Sequence, residues 1–121
     1  MAVGSGSVAN GKGAFALAGR ALMDGAFAYS GGTASGYSSH ASGLGVATGI
    51  LSFAHGNYSK AEGMTSLAFG ASTKAAGNYS IALGSGSDAL GEASFAWGTG
   101  SEAKGRASYA GGHHAIASGN Y

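Results

Sequence analysis

Residues 52–63 read S-F-A-H-G-N-Y-S-K-A-E-G, two copies of Ser-x-Ala-x-Gly joined by two spacer residues. The pattern then recurs almost without a break to the C-terminus, in two kinds. The first reads SFAHG at 52–56, SLAFG at 66–70, SIALG at 80–84, SFAWG at 94–98 and SYAGG at 108–112. Its x positions are mostly large and apolar. The second reads SKAEG at 59–63, TKAAG at 73–77, SDALG at 87–91, SEAKG at 101–105 and AIASG at 115–119. Its x positions are mostly charged or small, so the period is 14 residues, two segments per repeat.

A helix is the obvious rival for a seven-residue spacing, but a glycine at every seventh position costs about 1 kcal/mol relative to Ala in a helix. In an extended strand, alternate side chains point to opposite faces. Ser, Ala and Gly then share one face, and the two x residues share the other. Alanine is central to both kinds of segment (Ala54, Ala61, Ala68, Ala75, Ala82, Ala89, Ala96, Ala103, Ala110 and Ala117). The shared face is therefore a narrow interior common to both strands. The closing glycine is the corner, where the chain turns through positive φ or where neighbouring backbones pass closely.

The outward x residues of the first kind form a ladder of Phe53, Leu67, Phe69, Ile81, Leu83, Phe95, Trp97 and Tyr109, with His55 on the same line. The N-terminal part keeps the alternation irregularly. AFALAG at 14–19 and AFAYSG at 26–31 read as carrying one inserted residue before Gly, and they add Phe15, Leu17, Phe27 and Tyr29. SHASG at 39–43 breaks the ladder at His40 and Ser42. Residues 1–121 thus read as one domain, with irregular repeats over 5–49 and five regular ones over 50–119.

Aromatic side chains bury about 150–250 Å² each, whereas the largest apolar patch on a typical monomer is about 300–600 Å². The twelve large residues from Phe15 to Tyr109 exceed that severalfold. The ladder is expected to pack against copies of itself around a symmetry axis, which would gather one His55 imidazole per chain, a place to hold an anion or resist protonation.

Composition agrees with a folded repeat protein. Glycine supplies 25 of 121 residues without a Gly-X-Y period, proline and cysteine are absent, and 45% of residues are hydrophobic. A collagen helix, a disulfide framework and thiolate metal sites are excluded. The net charge is +1 without a basic cluster, so no nucleic-acid partner is expected. No stretch reaches the about 18 apolar residues of a membrane span.

The alternation of S-[apolar]-A-[apolar]-G with a polar heptad, best seen in SIALG and SFAWG, resembles the YadA-like head of trimeric autotransporter adhesins. The likeness is close over about residues 37–119 and looser over 5–36. It implies an all-β fold, a left-handed parallel β-roll of two-strand coils assembled as a homotrimer. It also implies attachment to host extracellular matrix (collagen, laminin or fibronectin class) or cell-surface glycans, and autoaggregation. The family's place is the bacterial cell surface, held at the outer membrane by a stalk and anchor with no counterpart in these residues. The ladder, including His55, is then the trimer interface. The ligand-facing surface is expected at Tyr58, Lys60, Glu62, Lys74, Tyr79, Asp88, Glu102 and Lys104. A phage tail-fibre or structural filament module with a receptor-binding role is the alternative reading.

Other motifs give way to plain readings. GSVANGK at 6–12 has phosphate-loop spacing, but Gly13 stands where Ser or Thr must bind Mg²⁺. Asp88 and Glu102 sit on consecutive repeats at about the carboxylate separation of a retaining glycosidase, but on an open face where Lys74 and Lys104 offer charge partners. His113 and His114 should point to opposite faces of a strand, with no third ligand near. Asn57-Tyr58-Ser59 and Asn78-Tyr79-Ser80 match glycosylation sequons as a by-product of the repeat. Ice binding calls for a Thr array that the outward positions lack. No enzyme, metal or cofactor is expected.

Overall fold

The computed structural model describes residues 1–121 and is all-β, with two parallel nine-stranded sheets. The first holds Ala2–Val3, Phe15–Leu17, Phe27–Tyr29, His40–Ser42, Phe53–His55, Leu67–Ala71, Ile81–Ser85, Phe95–Thr99 and Tyr109–His113. The second holds Val8–Ala9, Arg20–Ala21, Thr33–Ala34, Val46–Ala47, Lys60–Ala61, Lys74–Ala75, Asp88–Ala89, Glu102–Ala103 and Ile116–Ala117. The chain alternates between the sheets, one strand in each per coil. A first corner leads from the first sheet to the second, and a second corner leads back at the opposite edge. The product is a β-solenoid.

The interior is what the alanines predict. Ala54, Ala68, Ala82 and Ala96 of the first sheet and Ala61, Ala75, Ala89 and Ala103 of the second are fully enclosed, and all seventeen buried hydrophobic residues are alanines. Serines line the same slot. Ser52, Ser66 and Ser80 donate their hydroxyls to the corner carbonyls of Gly49, Gly63 and Gly77 at 2.7, 2.6 and 2.6 Å. A buried methyl contributes about 0.8 kcal/mol, well below the about 1.5–3 kcal/mol of a buried Leu or Phe. This interior is therefore weak per residue, and the outward apolar side chains hold unused burial.

Glycine has a different job at each corner. At the first, Gly70 has φ +129°, and a Cβ there would fall on the Gly84 carbonyl of the next coil. At the second, Gly77 keeps ordinary φ, and only the close approach of Gly91 excludes a side chain. The left-handed residue there comes two positions later. It is usually not glycine: Leu51, Thr65, Tyr79, Ala93 and Ala107 have φ of 53–60°.

The irregular N-terminal repeats correct one expectation. The residues before Gly19 and Gly31 are not insertions. Phe15 pairs with Phe27, a step of 12 residues, while Phe27 to His40 and His40 to Phe53 are steps of 13 and Phe53 to Leu67 is a step of 14. The missing residues all come from the first corner. Gly19, Gly32 and Gly45 occupy the inward position that Ser59 and Thr73 hold later, each accepting the backbone N–H of the second-sheet strand one coil below: Val8, Arg20, Thr33, Val46 and Lys60 in turn. A Cβ at Gly19 or Gly32 would press on the backbone at Ala28 or Ala41, so the tightened corners require glycine.

Candidate binding and assembly surfaces

Parallel register turns the outward x positions into straight columns. On the first sheet, one column runs Phe15, Phe27, His40, Phe53, Leu67, Ile81, Phe95 and Tyr109. The other runs Val3, Leu17, Tyr29, Ser42, His55, Phe69, Leu83, Trp97 and Gly111. Neither contains Lys, Arg, Asp or Glu. All thirteen residues expected on the ladder lie on this face. Phe69 and Trp97 are 48% and 41% exposed.

His40 does not break the first column. Its ring stands between Phe27 and Phe53, with centroids at 4.8 and 4.5 Å, and Phe15 stacks on Phe27 at 4.9 Å and 8°. Aromatic stacking is thus unbroken over four coils. Ser42 does interrupt the second column, but it is buried and pairs with His55 Nδ1. The enclosed His40 Nε2 has no hydrogen-bond partner, and burial lowers the pKa of this imidazole, with His55 adding to the effect. Sequence reading singled out His55. The 13-residue steps on either side of His40 take it off the 14-residue count, so its place in the column follows from the strand register.

At the C-terminal end, Leu83, Phe95, Trp97 and Tyr109 line an open apolar depression of about 450 Å³. The corner glycines Gly84 and Gly98 complete its lining.

The second sheet has the opposite character. Lys60, Lys74, Asp88 and Glu102 stack in one outward column. Lys104 pairs with Glu102 at 2.7 Å, while Lys74 lies 4.0 Å from Glu62, a closer partner than the Asp88 expected from the repeat. Burial, followed by repulsion from Glu102, raises the Asp88 pKa above the ordinary value, with Lys74 pulling the other way. These six charged residues form one surface. Tyr58 and Tyr79 do not join it: Tyr58 lies on the first corner and Tyr79 on the second, at opposite edges of the roll and 70% and 53% exposed.

The phosphate-loop spacing at 6–12 is a first corner, the strand Val8–Ala9 and the start of a second corner, with no helix behind it. The terminal histidines correct another expectation. Because His114 has φ +53°, the two imidazoles do not diverge but meet edge to face, centroids 4.1 Å apart. No group of three or more His, Asp or Glu side chains is placed to hold a metal ion.

The two parallel sheets, the 14-residue coils, one uncharged apolar face and one charged face define a repeat-built β-solenoid. The family model described as the YadA head domain repeat matches residues 1–17, 47–73 and 61–87. Over these residues the chain carries YadA head repeats, the unit from which trimeric autotransporters build the adhesin heads exposed at the bacterial cell surface. No curated protein matches the chain significantly.

Proposed function

We propose that the chain forms a homotrimer through the apolar columns of the first sheet and presents the charged second sheet to host matrix proteins or cell-surface glycans. The observation that carries this reading is the asymmetry of the two faces. Over nine coils the first sheet directs no Lys, Arg, Asp or Glu outward, and the second stacks Lys60, Lys74, Asp88 and Glu102. A rotation axis parallel to the solenoid would bring three copies of the first face together. It would cover Phe69, Leu83 and Trp97 and enclose the depression lined by Leu83, Phe95, Trp97 and Tyr109.

The outer face then repeats at about 4.8 Å per coil. Such a surface suits multivalent contact with repetitive ligands, where each contact is weak and the sum is strong. The role is non-catalytic in this reading: Asp88 and Glu102 stand on an open sheet, and the one apolar depression lies on the other face. Stalk and membrane anchor would be supplied by other parts of the adhesin.

Light scattering on the purified chain tests the assembly, and solid-phase binding to collagen, laminin, fibronectin and glycans tests the adhesion. A monomeric variant serves as the avidity control. The expected result is a trimer that binds at least one of these ligands and loses that binding when made monomeric. A folded, stable monomer would overturn the reading.

A further inference from the structure

We propose that the two edges of the roll form a second contact between copies, a belt at the fourth and fifth coils where the first corner of one subunit meets the second corner of its neighbour. The inference rests on the trimeric reading above and specifies what lies beside the apolar columns.

Large apolar residues are rare at the first corner. Only Leu44 in the fourth coil and Tyr58 in the fifth occur there, and both are exposed. Elsewhere that corner is built from Gly, Ala, Ser and Thr, apart from Asn57 and the terminal histidines. The second corner carries an exposed apolar ridge of Tyr37, Ile50, Leu51, Met64 and Tyr79 over the third to sixth coils, with Met23 and Leu90 exposed on the coils to either side. Ile50, Leu51 and Met64 share the coils of Leu44 and Tyr58. The corner position that Tyr37, Ile50 and Met64 occupy is charged in the coils beyond, as Lys12 and Asp24 before them and Glu92 and Arg106 after.

Rotation about an axis parallel to the solenoid leaves every residue at its own height. Subunits arranged with the first sheet inward place the first corner of one against the second corner of the next. Apolar side chains on both edges coincide in the fourth and fifth coils and in no others. Monomers seldom expose such matched patches without use, and this belt would be continuous with the covered first sheet. The occupant we assign is therefore a second copy of this chain.

The chain has no cysteine, so a double variant Tyr58→Cys/Met64→Cys can be oxidised without competing thiols. Covalently closed trimers are expected on non-reducing gels, since each subunit offers one thiol to each neighbour. The height-mismatched control Tyr58→Cys/Ala107→Cys should give none. Hydroxyl-radical footprinting of the unmodified chain supplies an independent readout: Tyr58 and Met64 should be protected, while Met1 and Tyr121 are labelled. A trimer by light scattering whose Tyr58 and Met64 label freely and do not cross-link overturns the belt and leaves the trimer standing. A folded monomer overturns both.

Discussion

The Trp97 indole lies across Gly111 of the next coil and donates its Nε1–H to the Tyr109 hydroxyl at 2.6 Å. Gly111 is the outward residue that pairs with Trp97 in the parallel register, and a Cβ there would collide with the indole nitrogen. The missing side chain thus sets the orientation of the only tryptophan. Gly111→Ala should displace the ring, break the Tyr109 bond and cost about 1 kcal/mol. Tryptophan fluorescence should shift, and an unchanged spectrum would count against this geometry.

Assembly through the first sheet predicts unequal effects of charge. Trp97→Lys or Leu83→Lys places an ammonium in a face without any carboxylate partner and should abolish the trimer. Lys74→Ala removes an exposed pair with Glu62 at 4.0 Å, worth about 0–1 kcal/mol, and its attraction to Asp88, all on the second sheet, and should leave assembly intact. Light scattering on both sets reads the difference. A soluble, folded Trp97→Lys trimer would contradict the assigned interface.

The two glycine roles separate under substitution. Gly77→Ala forces a Cβ onto the Gly91 carbonyl at ordinary φ and should cost about 2 kcal/mol or more. Thr65, two residues past the equivalent Gly63, holds φ +53° with a β-branched side chain. Such left-handed geometry costs about 1–2 kcal/mol, partly offset by the greater freedom of an unfolded glycine. Thr65→Gly should therefore stabilise the fold by about 0.5 kcal/mol. Thermal unfolding of the pair checks both signs.

Acid should weaken the molecule through His40. Its pKa is lowered from 6.5 by burial first and by His55 second, so the unfolded chain binds the proton more readily than the folded one. The fold is unpenalised above pH 6.5, loses stability as pH falls from 6.5 through the lowered value, and loses no more below it. The other titratable groups on this face are His55, Tyr29 and Tyr109, none of them a carboxylate that could pair with an imidazolium. Urea unfolding at pH 7.5 and pH 5 should show the loss, and His40→Phe, which continues the aromatic stack, should reduce it. Equal pH sensitivity in His40→Phe would refute the assignment.

Much of this architecture was legible because the repeat records inward and outward alternation twice per period. Ala54 and Ala61 enclosed, Phe53 and His55 on one face, and Lys60 and Glu62 on the other all follow from strand geometry. Tyr58 and Tyr79 show where that reasoning stops. Each follows Gly-Asn and precedes Ser, so the two look equivalent in sequence, yet they stand at opposite edges of the roll because the heptad repeats twice per coil and the chain turns after each copy.

The sequence by itself determined the period, the alanine interior and the division into an apolar and a charged face, since these depend only on strand alternation and side-chain size. Tertiary structure decided where the short coils lose their residues and where His40 stands. Stacking holds the second corner at constant length and lets the first contract to Ala18-Gly19. This realigns Phe27, His40 and Phe53 into one column that a fixed 14-residue count misses. Backbone packing between neighbouring coils, which no local pattern encodes, sets that register.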